Sequence, residues 1–246
     1  MRSTNQHGVH SPFVFGLLTK CLYVKDENSV HEKIRSYIKA VLKDSQIIKV
    51  TDFGAGSRVF RSENRKVGAI AKNAGISERR AILLNKLVSY FQFNTGLELG
   101  TSVGIASAAI ALDNSIQLTT LEGCTETAKI AQQYFNKFNL KNIHLKIGEF
   151  DDLLDDIINA NDKLDLVYFD GNHQKKPTLK YLNKLFPFAH NNSVFIFDDI
   201  HWSAEMEEAW EEIKAHPKVR LSIDSFFWGI VFFRKEQEKE HFIIRL

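Results

Sequence analysis

The chain has 246 residues, a length that provides for one large α/β domain with a modest extension. Hydrophobic residues make up 44% and charged residues 25%, as in a globular protein with a sizeable core. The net charge of +2 is too small to indicate a nucleic-acid partner. The two cysteines fit neither a disulfide framework nor a zinc pattern. Without a signal-peptide core or an apolar run near the ~18 residues of a membrane span, we expect a cytoplasmic protein with no membrane partner.

Residues 1–94 are predicted to form a helical N-terminal extension. Ser29 and Glu32 have the spacing of a capping box, and apolar residues at helical spacing follow them. A second helix is predicted after Ser77. Between these helices, residues 47–57 form a short strand-like run that ends in a glycine turn.

From residue 95 onward, short apolar strands alternate with helices. The two strands predicted at 165–169 and 193–197 are nearly continuous apolar runs, which is typical of parallel strands covered on both faces. Residues 226–233 and 241–245 are predicted to be two further strands around a polar turn. We therefore predict an α/β domain over residues 95–246, with a doubly wound, mostly parallel, seven-stranded sheet closed by an antiparallel C-terminal hairpin.

A glycine loop follows the first strand of this domain. Gly100 permits a tight turn, and Gly104 permits close backbone approach at the start of a helix, as a nucleotide-like ligand requires. The next strand ends at Glu122, 18 residues after Gly104, where an acid can accept hydrogen bonds from ribose hydroxyls. An ordinary strand-turn-helix loop is the alternative.

The acid that precedes the loop, Glu98, distinguishes between two kinds of ligand. A dinucleotide site has three glycines that seat a pyrophosphate on a helix N-terminus, and the Glu98 carboxylate would repel that group. The same carboxylate suits the ammonium group of a methionine moiety. A nicotinamide oxidoreductase is therefore disfavoured.

The segment from Leu97 to Gly104 resembles the first motif of class I S-adenosylmethionine-dependent methyltransferases, and is most similar to the catechol O-methyltransferase-like family. The resemblance covers about residues 95–246. It implies a Rossmann-like fold, S-adenosylmethionine as cofactor, a small-molecule hydroxyl as methyl acceptor and, by analogy, a homodimer. Taken with the loop argument, it gives a set of expected cofactor-binding residues: Glu98, Gly100, Thr101, Ser102, Gly104, Glu122, Gly123, Gly148, Glu149, Phe150 and Asp170.

Acidic residues follow two neighbouring strands. Asp170 comes directly after one buried strand, and Asp198 and Asp199 come after the next. At the carboxyl edge of a sheet, three such carboxylates would repel one another unless a cation or proton neutralised them. Oxygen ligands suit Mg²⁺, Mn²⁺ or Ca²⁺, so a divalent cation is expected. Alternatively, Asp199 caps the helix near Ser203 and Asp198 is a solvated strand end.

The resemblance sharpens this prediction. In the family, metal ligands occupy the positions of Asp170, Asp198 and Asp199, although the third is Asn in the family. The family's catalytic lysine matches His173, whose neutral imidazole can accept a hydroxyl proton near pH 7. His173 as a metal ligand or a polar loop residue stays an alternative. His201 is a weaker candidate for base or ligand.

Some features stay outside this scheme. The turn from Asp52 to Ser57 resembles a second cofactor loop but lacks the matching acid. The segment with His7 and His10 has no assigned chemistry, and the resemblance implies that the N-terminal extension acts as a lid over the substrate cleft. One alternative function is a metal-independent RNA or protein methyltransferase, and another is a non-catalytic cofactor-binding module. The first would use a basic stretch as its phosphate-contacting surface: Arg61, Arg65, Lys66, Lys72, Arg79 and Arg80.

Overall fold

The computed structural model describes residues 9–25, 28–51, 62–160 and 163–246. The turn from Asp52 to Ser57, together with Arg61 and His7, lies outside the described residues. The chain divides into two compact units. The first unit is Asp26–Leu153, and the second combines Met1–Lys25 with Leu154–Leu246. The sequence predicts a boundary at residue 94, between a helical extension and an α/β domain. The two compact units do not test that boundary, which stays a prediction.

The first unit contains the predicted glycine loop. Its elements, in chain order, are α2 (Ser29–Leu42), β1 (Ile47–Lys49), β2 (Asn64–Lys66), α3 (Val67–Ala74), α4 (Glu78–Phe91), β3 (Thr95–Leu99), α5 (Ile105–Ala111), β4 (Gln117–Glu122), α6 (Thr125–Lys137) and β5 (Ile143–Ile147). Strands β3, β4 and β5 are parallel neighbours, with β4 in the middle. The carboxyl ends of these three strands therefore lie along one edge.

The helix starts depend on side-chain caps. The capping-box prediction placed the N-cap of α2 at Ser29, but the cap is Asn28, whose side chain accepts a hydrogen bond from the His31 N–H at 3.3 Å. An asparagine satisfies an N-cap as well as a serine does, so the cap shifts by one residue. The helix predicted after Ser77 is confirmed, and Ser77 caps it.

The second unit contains the acidic residues. Its elements are α1 (Pro12–Leu17), a π-helical turn (Leu18–Leu22), β6 (Leu164–Phe169), α8 (Lys175–Leu185), a 3₁₀ turn (Phe186–Phe188), β7 (Ala189–Asp198), α9 (Ala204–Ala215), β8 (Leu221–Asp224), β9 (Trp228–Phe232) and β10 (Glu240–Ile243). Helix α7 (Phe150–Ala160) begins in the first unit and ends in the second. Strands β6 and β7 are parallel, and their facing residues are buried.

The C-terminal hairpin is present, but its strands differ from the expected pair. Strand β9 pairs antiparallel with both β7 and β8, so the hairpin is β8–β9. Strand β10 pairs in parallel with β8. The two strands predicted around the polar turn therefore do not pair with each other, because both edges of β9 are already occupied. The short strand β8 is the element that the sequence analysis missed.

The fold is of the α/β class, with a mostly parallel sheet of eight strands. The predicted sheet had seven strands, and the difference comes from β8. Among the described residues, no helix combines the length and the apolar character that crossing a membrane would require.

Gly104 lies where the glycine loop meets α5, with φ at +79°. A Cβ atom there would lie 2.5 Å from Cε1 of Phe135 and 2.7 Å from the hydroxyl oxygen of Tyr37. The close approach expected at this glycine is therefore made to two buried aromatic side chains of the first unit. Any larger residue would be strained by its backbone angle and by both rings.

We predict that Gly104→Ala lowers the free energy of unfolding by about 2–5 kcal/mol, because overpacking and a positive φ each cost on the order of 1–3 kcal/mol. Chemical denaturation of both proteins measures the difference. Adding Phe135→Leu to Gly104→Ala should cost less than the sum of the two single changes, since a smaller side chain relieves one clash. Strictly additive losses would show that Phe135 does not constrain Gly104.

Candidate functional site

The glycine loop is held in place by the end of β4. The backbone N–H groups of Gly100 and Thr101 both donate to the carbonyl oxygen of Leu121, at 3.0 and 3.1 Å. Gly100 and Ser102 have positive φ angles of 105° and 49°. The left-handed turn at Gly100 requires glycine, as the sequence analysis expected, and the turn brings the loop over the carboxyl end of β4.

The Glu122 carboxylate bridges two loops at this edge. Its Oε2 accepts a hydrogen bond from the Ser102 N–H at 2.7 Å, and its Oε1 accepts one from the Cys124 N–H at 2.9 Å. The side chain is partly exposed. These two backbone contacts orient the carboxylate. Both oxygens therefore have fixed positions at the predicted ribose site.

Glu98 lies beneath the loop, with 0% of its surface exposed. Its Oε2 accepts hydrogen bonds from the hydroxyl groups of Ser107 and Thr120, the latter at 2.6 Å. Its Oε1 has no hydrogen-bond partner among the described residues. Burial, with a smaller contribution from Glu122, raises the pKa of Glu98 to about 7, and the two hydroxyl hydrogen bonds limit the rise. In this conformation Glu98 supports the loop from below, and the expected contact with an ammonium group would need an opening above Oε1.

The third strand end of the first unit completes this edge. The Gly148 N–H donates to the carbonyl oxygen of Glu122 at 3.0 Å. Glu149 is exposed, and its carbonyl oxygen accepts from Leu153 in the first turn of the helix that begins at Phe150. The structure thus brings the predicted cofactor residues of the first unit to three adjacent strand ends, where their contacts with a ligand stay a prediction.

In the second unit, Asp170 and Asp198 come at matching positions of paired strands. Phe169 faces Phe197 in the parallel register, so the residues that follow them lie side by side. The Nε2 atom of His173 lies 3.8 Å from Asp170 Oδ1, and its ring centroid is 6.3 Å from that of Trp202. His173 is partly exposed beside an acid, which is compatible with the role of a base.

Asp198, the last residue of β7, accepts hydrogen bonds from within the protein, and Asp199 follows it. Asp198 is 3% exposed, and its Oδ2 and Oδ1 accept hydrogen bonds from the Tyr168 hydroxyl and the Asp199 N–H, each at 2.8 Å. Asp199 has a left-handed backbone, with φ at +54°. The alternative in which Asp199 caps the next helix is wrong, because the N-cap is Ser203.

The predicted metal site was the trio Asp170, Asp198 and Asp199. Within the described ranges, no group of three or more His, Cys, Asp or Glu side chains is arranged to hold a metal ion. The side chains as arranged among the described residues therefore do not provide the several oxygen ligands that a divalent cation requires.

His201 has a structural environment. Its Nδ1 lies 3.0 Å from Glu207 Oε1, and its Nε2 lies 3.0 Å from Asp224 Oδ2. Both ring nitrogens are thereby committed to carboxylates of the second unit, which disfavours His201 as a base or ligand.

The sequence analysis missed the hydroxyl groups around Glu98. Thr120 and Ser107 are both buried and both donate to its Oε2. The signal for Thr120 was weak, since it is one of two adjacent threonines in β4 and only its burial distinguishes it from Thr119. The signal for Ser107 was a lone hydroxyl in an alanine-rich helix.

Comparison with known proteins bears on this site. Residues 94–200 match the family model of a methyltransferase domain, a range that includes the glycine loop, Glu122, Gly148 and the acidic residues. The search of curated proteins gives no match.

Solved structures share the fold. A putative O-methyltransferase from Klebsiella pneumoniae aligns with a TM-score of 0.59 at 17% identity, covering 90% of this chain and 96% of that one. The O-methyltransferase TomG from Streptomyces achromogenes, solved with S-adenosylmethionine, gives a TM-score of 0.60 at 16% identity, covering 94% and 99%. A methyltransferase from Podospora anserina, bound to S-adenosylhomocysteine, gives 0.63 at 11% identity, covering 96% and 100%.

At these identities the structural likeness concerns the fold. The chain has the fold of class I O-methyltransferases. The family match adds that residues 94–200 are similar to a methyltransferase domain.

Proposed function

We propose that this protein transfers the methyl group of S-adenosylmethionine to a hydroxyl oxygen of a small molecule. The observation that carries the proposal is the anchored loop with Glu122 at its mouth, found within the segment that matches a methyltransferase domain. The fixed acceptors of Glu122 suit the two ribose hydroxyls, and Gly148 and Phe150 would border the adenine.

The chain's contribution to the reaction is alignment and proton transfer. When bound, S-adenosylmethionine supplies an electrophilic methyl group. The protein holds the cofactor by its ribose and keeps water away, so that an acceptor oxygen can attack in line. His173, held near Asp170, is the proposed base that takes the hydroxyl proton. No step is assigned to a metal ion, because no group of three or more His, Cys, Asp or Glu side chains among the described residues is arranged to hold one.

Glu122→Ala should weaken the binding of S-adenosylmethionine by about 10- to 100-fold, since a lost hydrogen bond to a charged group costs about 1.5–3 kcal/mol. Titration calorimetry with the purified protein measures the change. Glu126→Ala is the matched control, because Glu126 lies four residues further on and pairs with Lys129 on the helix surface. Equal affinities of the two variants would remove Glu122 from the site, and preferential binding of a nicotinamide dinucleotide would overturn the proposed function.

His173→Asn should lower kcat by about 10²–10⁴-fold, the usual effect of removing a general base, and leave cofactor affinity unchanged. The assay uses a labelled methyl donor with small phenols, sugars and total RNA as acceptors. A methyl label found in RNA alone would favour the rival function over a small-molecule acceptor.

His190→Asn is the matched control for this histidine. His190 is as exposed as His173, at 24% against 25%, and its Nε2 also faces an aspartate, Asp165, at 2.8 Å. We expect full turnover from the His190 variant. If both variants keep full turnover, then His173 is not the base.

Methyl transfer should persist after treatment with EDTA, because the predicted ligand trio does not form a metal-holding group. The measurement compares initial rates of the chelated protein with those after addition of Mg²⁺, Mn²⁺ or Ca²⁺. Activity that is lost on chelation and restored by one ion would show that methyl transfer needs that ion and would contradict this prediction.

A further inference from the structure

A chain of buried hydroxyl groups connects Glu98 to the glycine loop. The Thr120 hydroxyl lies 2.6 Å from Glu98 Oε2 and 2.6 Å from the Thr101 hydroxyl. The Ser107 hydroxyl reaches the same Glu98 oxygen from α5 but is not part of the path to the loop. All four side chains are buried, so no bulk water competes for these contacts.

The direction of the hydrogen bonds along this chain depends on the charge of Glu98. An ionised carboxylate only accepts, so Thr120 donates to Glu98 and accepts from Thr101. A proton on Oε2 of Glu98 has to be donated to a neighbouring hydroxyl, and donation to Thr120 turns that hydroxyl towards Thr101. The Thr101 hydroxyl is then an acceptor instead of a donor.

The glycine loop connects the Thr101 hydroxyl to the predicted ribose site. Thr101 immediately precedes Ser102, whose N–H donates to Glu122 Oε2 at 2.7 Å. A change in the hydrogen bond at Thr101 therefore acts on the peptide that orients Glu122. Thr120 and Thr101 are the only side chains in the described region that form this path from Glu98.

We propose that Glu98 is a positioning residue that acts through Thr120 and Thr101 on the loop that holds Glu122, and that it ionises when cationic S-adenosylmethionine binds, so that binding releases a proton. This inference rests on the proposed function, since it takes S-adenosylmethionine as the ligand. It makes Glu98 a buried partner of the cofactor loop and not a direct ligand.

The surroundings of Glu98 set the pH range in which its carboxyl group ionises. Burial and the Glu122 charge raise its pKa to about 7, so the free protein holds a proton there part of the time at neutral pH. The other titratable group described against it is Tyr37 of α2, whose own pKa is raised by burial and by the Glu98 charge, and which stays neutral. A bound cation favours the ionised carboxylate and lowers its pKa.

The charge of Glu98 couples the affinity for S-adenosylmethionine to pH. Below pH 7 the free protein carries the proton, and binding has to expel it. Above pH 7 the carboxylate is already ionised. Affinity should therefore rise as pH increases and level off above 7, with a difference of about tenfold between pH 6 and pH 8. At pH 7 about half a proton should be released for each cofactor bound.

The experiment is titration calorimetry of the purified protein with S-adenosylmethionine at pH 7, in phosphate and in Tris. The two buffers differ in their enthalpy of protonation, so the difference in heat gives the number of protons released. We expect a release in the wild type that disappears in Glu98→Gln. The comparison removes any contribution from the amino group of the cofactor, which is the same in both titrations.

Two matched variants test the hydroxyl path. Thr120→Val and Ser107→Ala each remove one donor to Glu98 Oε2, but only Thr120 also contacts Thr101. Thr120→Val should weaken binding at pH 8 by about fivefold, the effect of losing one buried hydrogen bond, and Thr120→Ser should restore it. Ser107→Ala should stay within about twofold of the wild type.

The outcomes separate the two proposals. Failure of the wild type to bind S-adenosylmethionine would overturn the proposed function. Binding without proton release, or equal losses in Thr120→Val and Ser107→Ala, would overturn the role of Glu98 and leave the proposed function intact. If Glu98→Gln does not fold, wild-type titrations with S-adenosylmethionine and with S-adenosylhomocysteine make the comparison, because the two ligands share the amino group and differ in the sulfonium charge. Equal proton release with both ligands would then overturn the role of Glu98.

Discussion

The parallel pairing of β3 with β4 determines most of the candidate cofactor site. Its register sets Glu98 opposite Thr120, so a hydroxyl lies beside the buried carboxylate. Because the two strands end together, the Leu121 carbonyl meets the first two N–H groups of the glycine loop. The next residue of β4 is Glu122, which receives the following loop N–H from Ser102. A shift of the register by one residue would turn these side chains to the opposite face and separate all of these groups.

The sequence predicts the helices and strands that a local residue pattern defines. It does not predict which strands pair with each other in the sheet. The apolar runs of β6 and β7 and the cap at Ser77 are visible in the chain because burial and capping each select particular residue types. Strand β8 has only four residues, and nothing local shows that it lies between β9 and β10. Strand partners are chosen by contacts between distant segments, which no local window contains.

The same limit applies to the site. The motif around Gly100 and the position of Glu122 could be predicted, because a turn and a strand end each have a recognisable spacing. The hydrogen bonds that Asp198 makes within the protein could not be predicted. Its partner Tyr168 lies on a neighbouring strand, and only their distance shows that the carboxylate is satisfied internally. Acids at strand ends can serve a ligand or the protein itself, and the residue types are identical in the two cases.

A glycine in a candidate cofactor loop can be required by a ligand or by the fold, and Gly104 is required by the fold. Its α-carbon is enclosed by Phe135 and Tyr37, side chains of the core, so its identity is fixed by folding whether or not a ligand ever binds. Glu122 has no comparable steric constraint and is partly exposed. Without any selection for ligand binding, the fold would therefore still require the glycine, whereas the acid would be retained only for its hydrogen bonds within the protein. A glycine motif of this kind is therefore weak evidence of a ligand site by itself, and the residue at the end of β4 is the more informative position to compare among related chains.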